Sequence, residues 1–237
     1  MAKNLKVILS QLTICILFTF FLTLTCKADN SSLYAIEVLK LVENNYQALD
    51  SYYDKGKSIE NNAITEFETY FKKRANLYLF KWTESYLNKE IFNSQITMNK
   101  MGVFRYRGSV ISKEHSIEKY DNFEDAIIRS YPTAKGLLGV TTPLMFENMD
   151  IRKITSYKHV RFMGNELLDG EKCIYLVLEQ VNARNDQIFM HLWIVENQKL
   201  IKKVKRINGD MERIYYFEKL KPNIEIQDKI FQKIQPD

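Results

Sequence analysis

The chain has 237 residues, 46% of them hydrophobic, with 34 Lys and Arg against 29 Asp and Glu. This length suits one large domain, and no stretch rich in Pro, Gly or Ser divides it. Without residues 1–28, 31 basic residues remain against the 29 acidic ones. The charge therefore gives no argument for nucleic-acid binding.

The first 28 residues predict a cleaved signal peptide. Lys3 and Lys6 form a short basic region, residues 7–24 are mostly apolar, and cleavage after Ala28 leaves a small residue at the last position. We therefore expect an exported protein whose mature chain covers residues 29–237.

Two alternatives to cleavage stay open. The apolar run approaches the roughly 20 residues needed to span a bilayer, although polar residues dilute it. Cys26 is a candidate for a lipid anchor, although Thr23-Leu24-Thr25 before it matches lipoprotein signals poorly. A soluble exported protein is the preferred interpretation.

The chain after the signal predicts one helix followed by a block of strands. Leu33 to Leu49 carries its apolar residues on one stripe at helical spacing. Tyr-, Phe- and Thr-rich segments separated by Asn-rich or charged turns then predict strands. These are Ser51–Ser58, Ala63–Lys73, Leu77–Glu84, Ser94–Lys100, Val103–Gly108 and His115–Tyr120.

Residues 122–148 predict a helical insertion between two blocks of strands. Asn122 caps a helix from Phe123 to Tyr131, and Pro132 ends it. Thr133–Val140 and Thr142–Glu147 predict two shorter helical pieces. Strands resume at Ser156–Phe162 and continue towards the C-terminus.

The strands of the second block are apolar on both faces. Cys173–Val181 and Ile188–Val195 are hydrophobic at nearly every position, whereas a sheet with one buried face alternates. Turn signals at 168–170 and 208–210 favour hairpins. The sequence therefore predicts a mainly β (α+β) fold, an open antiparallel half-barrel. Its strongly curved sheet has helices lidding the concave face, which can hold an apolar ligand.

Little in the sequence indicates catalysis. His115, His159 and His191 are far apart and match no metal-ligand spacing, and no serine lies in a GxSxG motif. Residues 136–139 lack the Lys-Ser/Thr of a phosphate loop. Cys173 is expected to be a small buried hydrophobic residue. We expect no catalytic residue, no metal and no cofactor.

Two apolar strand faces form the predicted ligand wall. The alternative for each wall residue is that it simply belongs to the hydrophobic core. The hypothesis is that they line an acyl-chain cavity, with the 123–131 helix and residues 136–139 moving aside to admit ligand. The basic run 202–206 is interpreted as a solvated outer face. The predicted wall residues are Tyr78, Phe80, Trp82, Ile188, Met190 and Leu192.

A helix leads into the Tyr-rich Leu49–Asp54, followed by Phe71–Leu77, Gly164–Gly170 and Leu192-Trp193-Ile194 before a Lys-rich strand. Asn223–Ile226, Phe231 and Pro236 close the chain. This layout resembles the periplasmic outer-membrane lipoprotein carriers LolA and LolB and their relatives. Ala75 replaces the family's Pro after the Arg, and Tyr78 stands where carriers place a second Arg.

The resemblance implies a single half-barrel domain over residues 29–237, with the helical insertion as its lid. It also implies non-catalytic, periplasmic binding of an acyl chain, a lipid or a lipoprotein. The alternative is a signalling or scaffold module of the same fold that binds a membrane-anchored envelope protein. Because fold does not imply function, the fold transfers better than the activity.

Overall fold

A computed structural model describes residues 31–87, 89–149, 153–157, 159–181 and 187–232. The predicted signal peptide, with Cys26 and the Ala28 cleavage site, lies outside these residues. Three α-helices are present in the described part, namely α1 (31–48), α2 (Phe123–Ser130) and α3 (Thr142–Met145). Within the same residues, no helix has both the length and the apolar character needed to cross a bilayer.

Eleven strands of the described chain form one antiparallel sheet. Three short 3₁₀ turns lie at Leu137–Gly139, Ile154–Ser156 and Asp228–Gln232. The strands are β1 Ser51–Glu60, β2 Ala63–Lys72, β3 Leu77–Tyr86, β4 Lys89–Asn99, β5 Gly102–Ser109, β6 His115–Tyr120, β7 His159–Leu168, β8 Glu171–Val181, β9 Gln187–Val195, β10 Ile201–Asn208 and β11 Met211–Pro222.

The sheet consists of two meanders joined in the middle. Its order is β6-β5-β4-β3-β2-β1-β11-β10-β9-β8-β7, so each strand pairs with its neighbour in sequence except at the junction. There β1 pairs with β11, with Tyr52 opposite Pro222 and Ile59 opposite Ile214. The two edge strands, β6 and β7, lie at opposite ends of the sheet.

Most of the predicted elements are confirmed. Strand β6 has the predicted bounds, and α2 begins as expected because the Asn122 side chain accepts a hydrogen bond from the Asp125 backbone N–H at 2.8 Å. Several boundaries differ from the prediction, and the largest differences are at β4 and β7. Strand β4 begins at Lys89, and the residues predicted to resume the strands at Ser156 end a 3₁₀ turn before β7.

Helix α1 lies across the centre of the sheet and defines its covered face. The α1 stripe that includes Val38, Leu39 and Val42 is buried in the main hydrophobic core. Tyr46 packs edge-on against Tyr52 of β1 at 5.6 Å, and its hydroxyl accepts a hydrogen bond from an amide of β10. The helix therefore bridges the two meanders over their junction.

The opposite face is covered locally at two places. The C-terminal residues Ile226 and Phe231 pack on Leu77 and Leu79 of β3. Further along the sheet, Trp193 of β9 belongs to a second small cluster with buried Cys173 and Val195. The prediction that Cys173 is a buried hydrophobic residue is confirmed, and burial raises the pKa of its thiol to about 11.

These two coverings explain the strands that are apolar on both faces and correct one prediction. The mainly β, antiparallel and open sheet is confirmed, but the sheet is not strongly curled, so the strongly curved half-barrel is wrong. The sequence prediction explains the second apolar face of the strands by a curved sheet. That face is shielded instead by the C-terminal segment and by side chains such as Lys203, whose ammonium lies 4.4 Å from the Trp193 ring.

A buried carboxyl group lies in the middle of this core. Asp54 of β1 has no exposed surface and is surrounded by Tyr52 and Thr69. Burial raises its pKa from 3.8 to about 7, while the Thr69 and Tyr52 side chains partly oppose the rise. A charged aspartate is therefore disfavoured at this position below neutral pH.

Asp54→Asn is expected to flatten the pH dependence of stability. Between pH 3.8 and about 7 the folded state holds a proton that the unfolded chain has released. The free energy of unfolding of the parent therefore falls as the pH rises through this window. The neutral amide does not titrate, so the variant loses this fall and is the more stable protein above it. Urea unfolding across the window tests this.

The exposed Asp50 provides the matched control. Asp50→Asn is expected to keep the pH dependence of the parent, because its side chain lies on the surface beside Arg74. A parent whose unfolding free energy stays constant from pH 4 to about pH 7 would contradict a buried, titrating Asp54.

Candidate functional site

All six predicted wall residues are buried, with exposed fractions of 9% or less. Tyr78, Phe80 and Trp82 of β3 and Met190 and Leu192 of β9 belong to the main core on the covered face. Ile188 is buried as well. Four strands separate β3 from β9, so the two rows share one face without opposing each other directly. Only Met190 among the six borders the cavity described below.

Residues 122–148, here called the lid segment, cover the β3 end of this core through aromatic packing. Phe123 packs edge-on against Tyr78 at 4.9 Å, and Phe146 packs against Phe123 at 4.8 Å and Phe71 at 5.2 Å. The Tyr78 hydroxyl is hydrogen-bonded to Thr142 at 2.7 Å. Both ends of the lid segment therefore rest on the same tyrosine.

Two arginines from different meanders hold the middle of the lid segment. Arg105 of β5, which is 4% exposed, donates to the Arg129 carbonyl at 3.3 Å and to the Thr133 hydroxyl at 3.2 Å. Arg213 of β11 donates to the Lys135 carbonyl at 2.5 Å. Each guanidinium offers several donors in a fixed geometry, which suits it to bind carbonyls that helical structure leaves free.

An ion-pair network, here called the latch, fixes the Lys135 turn. The Lys135 ammonium lies 3.0 Å from Glu84 and 3.6 Å from Glu60, and Arg213 lies 2.6 Å from Glu60. Burial favours the neutral form of Glu60, but its hydrogen bond to Arg213 and the nearby positive charges outweigh burial and lower its pKa. Glu60 therefore stays ionised across neutral pH.

A cavity of about 200 Å³ lies between the lid segment and strands β9 to β11. Its lining is mainly apolar and aromatic, with one charged side chain. Gly139 makes close packing possible here, because a Cβ atom would lie 1.3 Å from the Tyr131 hydroxyl. The lining residues are Tyr131, Gly136, Gly139, Val140, Ile154, Tyr157, Met190, Val204, Arg206 and Tyr215.

Three charged residues of this site were not predicted from the sequence, and one of them, Arg206, was assigned to the wrong environment. Arg105 and Arg213 were not singled out, and Arg206 was interpreted as part of a solvated outer face. In the structure Arg206 borders the cavity with Val204, two residues earlier on β10. The only signal in the sequence is Val204 at the same parity, and Lys202 and Asn208, which share that parity, hide it.

The described residues contain no group of three or more His, Cys, Asp or Glu placed to hold a metal ion. His115 and His159 lie on the two edge strands, and His191 lies on β9. His191 stacks on Tyr175 at 5.9 Å and is hydrogen-bonded to its hydroxyl. The three histidines therefore lie on three separate strands.

Lys135→Met is expected to loosen the lid segment. It removes two ion pairs of the latch while leaving the contacts that the Lys135 carbonyl accepts. A loss of about 1 kcal/mol makes local opening about fivefold more frequent. Hydrogen exchange of backbone amides 134–140 should accelerate accordingly.

Lys55→Met is the control for the latch, because its ion pair with Glu68 at 3.6 Å lies on the sheet. It should leave exchange at 134–140 unchanged. Equal exchange rates in the parent and in Lys135→Met would show that the latch does not restrain the lid segment.

Gly139→Ala is expected to destabilise the protein by about 1–3 kcal/mol, because the added methyl group overlaps the Tyr131 ring. Denaturant unfolding measures this loss. Tyr131→Ala removes the overlapping ring, so the double variant should lose less than the sum of the two single changes. Strictly additive losses would contradict the contact.

No protein-family model matches the sequence, and no curated protein matches it. Solved structures do match. MucB has a TM-score of 0.51 at 10% identity, covering 85% of this chain and 63% of MucB. The MucA/MucB complex structure from Pseudomonas aeruginosa has a TM-score of 0.51 at 11% identity, covering 84% of this chain and 60% of the other. The chain thus spans less than two thirds of MucB.

A putative outer membrane lipoprotein-sorting protein domain from Vibrio parahaemolyticus is matched at 8% identity and a TM-score of 0.38. That match covers 84% of this chain and 97% of the other. Identities this low concern the fold alone. The resemblance made from sequence is confirmed at that level through the structural match to MucB.

Proposed function

We propose that this protein is an exported, non-catalytic carrier that reversibly binds an acyl chain, a lipid or a lipidated protein beneath its lid segment. The observation that carries the proposal is the apolar cavity between the lid segment and strands β9 to β11. Apolar concave sites with a few polar groups are typical of binding sites for small amphiphiles.

The attachment of the lid segment supports entry by displacement. Its backbone hydrogen bonds in the described chain are internal, as from Ala134 to Ser130 and from Val140 to Leu137. Side chains such as Arg105 and Arg213 hold it to the sheet. Because no strand pairing has to break, the segment can move while the sheet stays intact.

The size of the cavity determines how ligand would be accommodated. Burying each methylene of a chain contributes about 0.8 kcal/mol. A cavity of about 200 Å³ is smaller than the roughly 300–1,000 Å³ of sites that enclose a drug-sized ligand. It holds the first part of a chain, and the remainder requires the lid segment to shift.

The predicted wall residues enter the proposal at this step. Met190 already borders the cavity, and Leu192 lies next along the same strand face. On the other meander, Tyr78, Phe80 and Trp82 lie in the core, with Tyr78 packed directly under the lid segment. We propose that displacement of the lid segment exposes these faces to the chain of the ligand.

The location of the protein is part of the same proposal. Residues 1–28 act as a signal peptide, and residues 29–237 form one periplasmic domain with the lid insertion at 122–148. Support comes from the sequence pattern of the first 28 residues and from the fold match to proteins named for lipoprotein sorting.

A second candidate function is binding of a protein partner, and an exposed apolar end of the sheet favours it. The β3–β4 and β5–β6 turns lie at the same end of the sheet, where the Val110 N–H at the start of the β5–β6 turn donates to the Ile91 carbonyl of β4. Leu87 is 66% exposed and Ile111 is 75% exposed there. The fold match to MucB, solved in complex with MucA, supports the same alternative.

Native mass spectrometry separates the carrier function from the partner-binding function, since a carrier retains lipid on gentle purification.

Met190→Trp is expected to weaken binding of a fluorescent fatty acid, because the larger ring fills the cavity that Met190 borders. We expect the affinity to fall about tenfold or more, which corresponds to about 1.4 kcal/mol of binding free energy. This is less than the free energy gained by burying two methylene groups. Fluorescence titration measures the affinity, and circular dichroism verifies that the variant is folded.

Met163→Trp is the matched control. Met163 lies on edge strand β7 and is 51% exposed, so the same substitution there should leave probe binding intact. The carrier proposal fails if the parent never binds the probe, or if folded Met190→Trp binds it as well as the parent does.

A further inference from the structure

Arg206 of β10 is a charged residue on an otherwise apolar side of the cavity. In the ladder it lies opposite Met190 on one side and Arg213 on the other. It borders the cavity with Met190 and Val204, and its side chain is half-buried. Its guanidinium is therefore a charged group at the border of the cavity.

The charge of Arg206 is uncompensated within the described part of the chain. Like charges directly opposite each other across two strands are destabilising. Arg213 is neutralised by Glu60 at 2.6 Å and also donates to the Lys135 carbonyl. Arg206 makes no ion pair with any described residue, and the cavity lining contains no Asp or Glu. An anion at Arg206 would complete the charge balance that Glu60 provides for Arg213.

The charge also reaches the hydroxyl groups of the cavity. Burial raises the pKa of Tyr131 to about 12, and the positive charge of Arg206 acts against this rise. The same charge also opposes the rise that burial causes in the pKa of Tyr215. The Tyr215 hydroxyl donates to the Lys135 carbonyl at 2.9 Å. Arg206 and the tyrosines therefore form one polar edge beside an apolar cavity.

We propose that Arg206 binds the anionic head group, a carboxylate or a phosphate, of an amphiphile whose acyl chain begins in the lid cavity. This inference rests on the proposed function and adds the chemical class of the ligand. Arginine pairs with both anions through two parallel hydrogen bonds, which fixes the orientation of the head group. The apolar lining then directs the first methylenes inward.

Binding of dodecanoate, dodecyl phosphate and dodecanol to the full folded protein tests the proposal. The parent should prefer each anion over the alcohol by about tenfold, the contribution of one charge-assisted contact. Arg206→Met should lose this preference and still bind dodecanol, whereas Arg206→Lys should keep part of it. In the parent the preference should also shrink as the salt concentration rises, a readout that needs no variant.

Arg161→Met is the matched control, because it removes the same charge from an exposed position on β7. It should leave the preference unchanged. A parent that binds all three ligands equally, or an Arg206→Met variant that keeps the preference, overturns the head-group assignment while the carrier proposal stands.

Two further outcomes separate the remaining possibilities. If inorganic phosphate or acetate binds the parent as tightly as dodecanoate does, the acyl chain contributes nothing, the ligand is a free anion and the amphiphile assignment is overturned. If the parent binds neither the anions nor dodecanol, the carrier proposal itself fails, and the head-group assignment fails with it.

Discussion

The structure depends on covering one face of a wide sheet with very little helix. Helix α1 covers the junction of the two meanders, and the lid segment covers the neighbouring core with two short helices and a 3₁₀ turn. Such short elements cannot bury their polar backbone alone, so the sheet supplies the missing partners. Arg105 and Arg213 do this from opposite sides, each binding lid carbonyls. The lid segment is thereby a part of the fold that side chains alone connect to the sheet.

This mode of attachment links the cavity to the charges around it. Glu60 balances Arg213 and contacts Lys135, so a single carboxylate joins the centre of the sheet to the lid turn. The cavity lies directly beside this network. Any ligand that shifts the lid segment must therefore rearrange ion pairs as well as apolar contacts. In the proposed carrier, ligand binding and opening of the lid segment would be coupled through these few side chains.

The sequence predicted the elements that depend on local signals and missed those that depend on distant contacts. The Asn122 cap and the short strand His115–Tyr120 depend on signals within a few residues, and both are confirmed. The curvature was wrong because Phe231, far along the chain, covers Leu77 and Leu79 of β3 on the face opposite the predicted wall, so strands that are apolar on both faces need no curved sheet. The latch was missed because Glu60 and Arg213 each have the surroundings of ordinary surface residues in sequence. Only the pairing of β1 with β11 brings them together.

The same pairing determines the order in which the molecule can assemble. Each meander contains only contacts between neighbouring strands, so it can form locally. Strand β1 gains its second partner only when Pro222 reaches Tyr52, across almost the whole chain. During synthesis, the first meander therefore waits with the edge of β1 unpaired until β11 has emerged. An unpaired edge is a template for other strands, so this interval is when the protein is most exposed to aggregation.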